Sequence, residues 1–239
     1  MTTEMTFLAG ALLLAAFVQG LSGLGFSLIA APSATQAIPG SQAIGLVNLL
    51  ALVQNVWQVW RASGEIRWPI IRRLAPGLVI GFFVAVIPIM YLDADLRALL
   101  VALASLGSLA MFAWWKPPAG ADSALSAGAM SGAANTYAGV GGPIIAGFLK
   151  RQGWKREDYL RTQQGIFGAM NLVSIPLLGL PSVTPWQLLG AIALLPIGVA
   201  IGFGVSKLIS SEAALKVCEV LVLIVGLIAV VRSVVLLSA

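Results

Sequence analysis

Two short stretches of this chain could bind a ligand without a single ionised side chain. One is Gln19-Gly20-Leu21-Ser22-Gly23-Leu24-Gly25; the other is Asn135-Thr136-Tyr137-Ala138-Gly139-Val140-Gly141-Gly142-Pro143. Glycines permit backbone turns that side chains forbid, so each stretch can break a helix. The helix that restarts after a break presents unpaired N–H groups and a partial positive charge at its first turn. Two such starts aimed at one another would hold a small anion with no lysine or arginine. Pro143 suits a helix start, where its missing N–H costs nothing. Gln19, Ser22, Gly23, Gly25, Asn135, Tyr137, Gly139 and Gly141 are therefore candidate substrate-binding residues. Glycines also serve close packing of membrane helices. That use better suits Gly77-x-x-x-Gly81 and Gly198-x-x-x-Gly202, which lack polar company. A nucleotide-binding loop fits neither break, because no strand precedes it and no Gly-Lys-Ser/Thr follows.

A second set is made of amides. Asn48 with Asn55, and Gln164 with Asn171, are each seven residues apart and share a helix face. Amides are costly in hydrocarbon and turn toward the bundle interior. There they serve either as interhelical glue or as cavity lining able to donate to a substrate oxygen. Their recurrence in both halves favours lining, with Ser27, Thr136 and Gln163 as further liners. Histidine is absent and Cys218 is the only cysteine, so neither a metal-ligand set nor a disulfide framework is visible, and no cofactor is implied. No Asp, Glu, Lys or Arg falls at the centre of an apolar run. An intramembrane enzyme would need a Ser/His pair, paired aspartates or a metal there.

The elements that position these residues must live in lipid. The chain has 239 residues, 59% hydrophobic and only 10% charged, against about 25% charged for a soluble domain. Between Glu4 and Arg61 run 56 residues without a charge. The net charge of +5 is no nucleic-acid footprint, since its lysines and arginines sit in short clusters between apolar runs. No basic leader or closely following cleavage site marks a signal peptide. The expectation is an all-α polytopic integral membrane protein with apolar segments at about 5–35, 41–60, 70–92, 96–115, 123–149, 161–180, 185–206 and 213–237. Pro39-Gly40, Arg61 to Pro69, Asp93 to Asp95, Lys116-Pro117-Pro118, Lys150 to Arg161, Pro181 to Pro185 and Lys207 to Glu212 separate them.

Charge placement constrains how these segments cross. Arg61, Arg67, Arg72 and Arg73 mark one cytoplasmic loop; Lys150, Arg151, Lys155, Arg156 and Arg161 mark another. Eight full crossings would put these two loops on opposite faces. They share a face if segments 1 and 5 are re-entrant hairpins, each of two half-helices of about 12–14 residues. Both chain ends then lie outside. Eight crossings with kinked first and fifth helices stays open as the alternative.

The halves also resemble each other. At an offset of 116 residues Gln19 matches Asn135, Gly23 Gly139, Gly25 Gly141, Asn48 Gln164 and Asn55 Asn171. Further matches at slightly larger offsets divide the chain into a first transmembrane repeat, 1–116, and a second, 117–239. With one hairpin and three crossings per half, the repeats are inverted, and such repeats place a substrate site near the midplane at their interface.

Phe17 to Phe26, its echo at Ala138 to Pro143, and the Asn55 and Asn171 helices resemble the TauE/SafE sulfite exporter family over essentially the whole chain. The resemblance implies a compact inner-membrane transporter of sulfite, sulfoacetate or other sulfonates. Its partners would be a small anionic substrate and the lipid bilayer. A carrier of pyruvate-like carboxylates and a non-transporting scaffold remain as rivals. Oligomeric state is not legible.

Overall fold

The structure, a computed structural model, describes residues 3–38, 40–114, 121–179, 181 and 183–238. Pro39, Lys116, Pro117, Pro118 and Ser182, which the sequence reading uses as breaks between segments, lie outside the described residues, as does the boundary between the two repeats. Ten helices and no strand occur among the described residues: α1 (Thr3–Ser22), α2 (Phe26–Thr35), α3 (Ser41–Arg61), α4 (Trp68–Tyr91), α5 (Ala94–Trp114), α6 (Ala121–Ala138), α7 (Gly142–Lys150), α8 (Arg156–Leu178), α9 (Pro185–Ser206) and α10 (Ser211–Leu237).

Six of these, α1, α3, α4, α5, α9 and α10, are long and apolar enough to cross a bilayer. The outer faces of α4, α9 and α10 expose Phe83, Ile87, Ile197, Phe203 and Val231, the pattern of a lipid-facing surface. Neither α6 nor α8 meets the apolar criterion, and the reason is burial. Helix α8 carries Thr162, Gln163, Gln164, Asn171 and Ser174 with almost no exposure, and α6 buries Ser131, Asn135 and Thr136. Both turn a polar face into the bundle, while Leu172 and Val173 of α8 and Leu125 and Met130 of α6 stay exposed on the outside. Exposed aromatics gather at helix ends: Trp60, Trp68 and Trp114 at one face, Tyr91 and Trp186 at the other. Such belts mark the two membrane interfaces.

Each glycine break folds its segment back on itself. Thr6, Gly10 and Leu14 of α1 share a cavity with Ile29, Pro32 and Gln36. The end of α2 thus lies beside the start of α1. In the second half, Ala124 and Ala127 of α6 pack in one core with Phe148 and Leu149 at the end of α7. The arms are unequal, which corrects the expectation of matched half-helices. Helices α1 and α6 have 20 and 18 residues, whereas α2 and α7 have 10 and 9. At 1.5 Å per residue the outgoing arm runs nearly 30 Å and the return about 15 Å.

The loops sort by charge as a consequence. The α3–α4 and α7–α8 connections touch: Glu65 N donates to Asp158 Oδ1 at 2.8 Å, Arg67 N to Thr162 Oγ1 at 3.0 Å and Arg161 to Gly64 O at 2.6 Å. Arg67 and Asp158 form an ion pair across the same junction. Apart from Arg97 and Arg232, the described lysines and arginines fall on this basic face. The opposite face gathers the start of α1, the end of α2, the start of α5 and the end of α10 around Glu4, Thr35, Asp95 and Ser233.

The two halves are interleaved. Helix α1 packs along α9 and α6 along α4; α2 leans on α10 and α7 on α5; α3 crosses α8 at the centre. Glycines make the two long contacts possible. A Cβ on Gly81 would collide with Ala129 O, and one on Gly202 with Phe17 O. Gly77 meets the α6 backbone at Leu125 O, and Gly198 meets Ala16 and Leu13 O of α1, so both pairs serve packing.

Candidate functional site

The first break turns at Gly23 (φ 79°) and Gly25 (φ 109°), and the second at Gly139 (φ 71°), backbone values that favour glycine. At the first turn Gly23 N donates to Gln19 O at 2.8 Å, and the Ser22 hydroxyl reaches Leu24 O at 2.6 Å. Gln19 stitches this break together. Its Nε2 donates to Gly23 O at 3.2 Å, and its Oε1 accepts from Phe26 N at 3.3 Å. One of the free N–H groups expected at the start of α2 is therefore capped from within the hairpin. At the second turn Gly139 N donates to Asn135 O and the Ser131 hydroxyl to Gly141 O, at 2.8 and 2.7 Å. Here the amide reaches across the bundle instead, with Asn135 Nδ2 donating to Asn171 Oδ1 at 3.2 Å.

Between the two turns lies a cavity of about 40 Å³. Phe26 and Ser27 line it from the start of α2, Gly142 and Pro143 from the start of α7. Neither of these helix starts has a side-chain cap from its own N-cap glycine, Gly25 or Gly141. Ala51 and Phe167, midway along α3 and α8, line the cavity too, which places it at the middle of the bundle. The remaining polar lining is Gln19, Gln54, Asn55, Asn135 and Asn171, with no ionisable side chain. Gln54 is 3% exposed, and neither its Nε2 nor its Oε1 has a partner. A buried amide without partners is expensive unless a ligand or water completes it.

Of the sequence candidates, Gln19, Gly25, Asn55, Asn135, Gly139 and Asn171 come together around this cavity, along with Ser27. The others lie beside it. Gln164 donates from Nε2 to Gly23 O at 3.2 Å, across from the first turn. Asn48 occupies the corresponding place at the second turn, where a Cβ on Gly139 would sit 3.1 Å from its Oδ1, yet both its amide atoms are buried and unpaired. Each turn is thus faced by an amide from the other half. Gly23 lies next to Leu160, and Gly141 packs against Ser131 and Asn135. Ser22 borders a separate cavity on the basic face. Tyr137 and Gln163 are not among the liners, and Thr136 bonds Ser174 at 3.1 Å. Sequence reasoning missed Gln54 because repeat matching was the signal followed, and the residue 116 positions on is Met170. Its position next to Asn55 in a charge-free helix was the available clue.

The two turns differ in exposure. Ser22 to Gly25 are half-buried, whereas Ala138 to Gly141 are fully buried.

Paired helix breaks around a neutral cavity, inside a helical bundle with a lipid-facing exterior, define a polytopic membrane transporter. The chain belongs to the sulfite exporter TauE/SafE family, whose family model matches residues 8–230. No curated protein and no solved structure matches it.

Proposed function

We propose that this transporter carries a small anion, a sulfur oxyanion such as sulfite, across the plasma membrane with the basic face in the cytoplasm. The starts of α2 and α7 supply the positive potential. Gln54, Asn55, Asn135 and Asn171 supply hydrogen bonds, and Gln54, buried with both amide atoms unpaired, carries the reading. The cavity has room for about three waters. That volume favours a compact oxyanion over a sulfonate with a carbon chain in this conformation. Gln164 positions the first hairpin turn through its bond to Gly23 O, and Asn48 stands against the second. The reciprocal packing of α1 on α9 and α6 on α4 supports two inverted repeats, with rocking of one against the other exposing the cavity alternately.

Flux of radiolabelled sulfite in proteoliposomes, with sulfonates and pyruvate as competitors, tests this reading. Gln54→Leu keeps the volume and removes the amide. Loss of a hydrogen bond to a charged ligand, about 1.5–3 kcal/mol, weakens apparent affinity about 10- to 100-fold. Sulfite flux outcompeted by pyruvate but not by sulfonates points to a carboxylate carrier. Asn55→Leu and Asn171→Leu abolish flux in a transporter, whereas a scaffold moves no sulfite to begin with and keeps working with both substitutions.

A further inference from the structure

On the basic face a second cavity, of about 290 Å³, opens beside the first hairpin turn. Lys150, at the end of α7, and Arg156, at the start of α8, line it together with Ser22, Phe112 and Leu215. Leu24 lines this cavity and the central one alike, so a single side chain of the turn stands between them. We propose that this vestibule is a separate capture station for the transported anion, with Leu24 as the gate to the central cavity; the proposal rests on the transport reading above.

Three observations carry it. First, neither cation is in an ion pair among the described residues. Lys150 stands over the Phe112 ring, 5.8 Å from its centre, a cation–π contact that leaves its charge without a counter-ion, and the nearby Asp158 is engaged by Arg67 and Glu65 N. Glu157 does not line the cavity. Second, Arg156 is the first residue of α8, a position where the helix dipole favours an acid. A cation there opposes local helix stability and adds to the positive potential of the α8 N–H groups at the cavity mouth. Third, this side leads inward. The half-buried turn Ser22–Gly25 faces the vestibule, while the second turn is sealed. The cavity at the opposite face carries Glu4 and Asp95, which repel an anion. Charges of one sign lining a cleft raise the local concentration of an opposite ion and its capture rate. Passage past Leu24 then requires the first turn to shift, releasing the bond from Gln164 to Gly23 O.

The test uses sulfite in proteoliposomes whose orientation is scored by protease access to a terminal tag. In the double variant Lys150→Gln, Arg156→Gln the KM for sulfite presented at the basic face rises about tenfold at low salt. Its kcat for sulfite presented at that face stays the same. The wild-type KM at the basic face rises with ionic strength, and the variant's does not. Lys150→Arg with Arg156→Lys behaves as wild type, which separates charge from packing. A KM at the basic face that is unchanged, or that rises in the variant while keeping its salt dependence, overturns the vestibule while leaving transport standing. A wild-type protein that moves sulfite from neither face takes both readings down.

Discussion

Asp158 joins the two basic loops through two kinds of contact, a backbone N–H from Glu65 and the guanidinium of Arg67. The Glu65 N–H, then Arg67, hold its carboxyl below the usual carboxylate range. A carboxyl with a depressed folded-state pKa stabilises the fold above its unfolded pKa, and that contribution disappears as pH falls through the folded value. Thermal unfolding in detergent will therefore show Asp158→Asn less stable than wild type at pH 7. The gap will close as pH drops below about 4; parallel profiles would contradict this. At the same scale the limits of sequence reading are physical. Asn48 and Asn55 do share a helix face, as do Gln164 and Asn171, but seven residues are about 10 Å of rise. Same face is not same depth, so Asn55 and Asn171 reach the cavity and their partners meet the turns. Gln54 escaped notice because Met170 broke the symmetry that drew attention to its neighbours.

The hairpins were legible as elements because glycine clusters and segment length both pointed to a reversal of the chain at the two breaks. Their unequal arms were not. Arm length is set by where the return helix meets its neighbours, a tertiary contact that no local pattern encodes. The glycine pairs of α4 and α9 were readable as packing motifs because nothing polar accompanied them. Helix α9 offers an internal comparison. At Gly202 a Cβ would strike Phe17 O on α1, while at Gly204 nothing lies within 4 Å. Gly202→Ala is expected to cost about 1–3 kcal/mol through overpacking and to lower the melting temperature in detergent. Gly204→Ala should raise stability slightly, by up to about 1 kcal/mol, since alanine favours helix over glycine. Equal effects at the two positions would mean that α1 and α9 are not in the contact described.

Across the whole molecule, a cavity lined without ionisable side chains would leave the charge of the proposed anion uncompensated. Each unit charge crossing 100 mV is worth about 2.3 kcal/mol, or about a fiftyfold concentration ratio. Sulfite flux in proteoliposomes should therefore follow an imposed potassium diffusion potential, with the anion leaving the negative side. Flux that ignores the potential and follows a pH gradient instead would indicate a proton carried along. Reporter tags at both chain ends check the accompanying topology, which places each of them opposite the basic face.

The interleaving of α1 with α9 has a consequence for biosynthesis. The first hairpin leaves the ribosome long before the helix that will cover its small-residue flank exists. Until then its kinked tip, with Gln19 bridging the break, must wait among lipids or in the care of an insertase. The nascent amino-terminal hairpin thus gains its native packing only when the carboxy-terminal helices arrive to close over it.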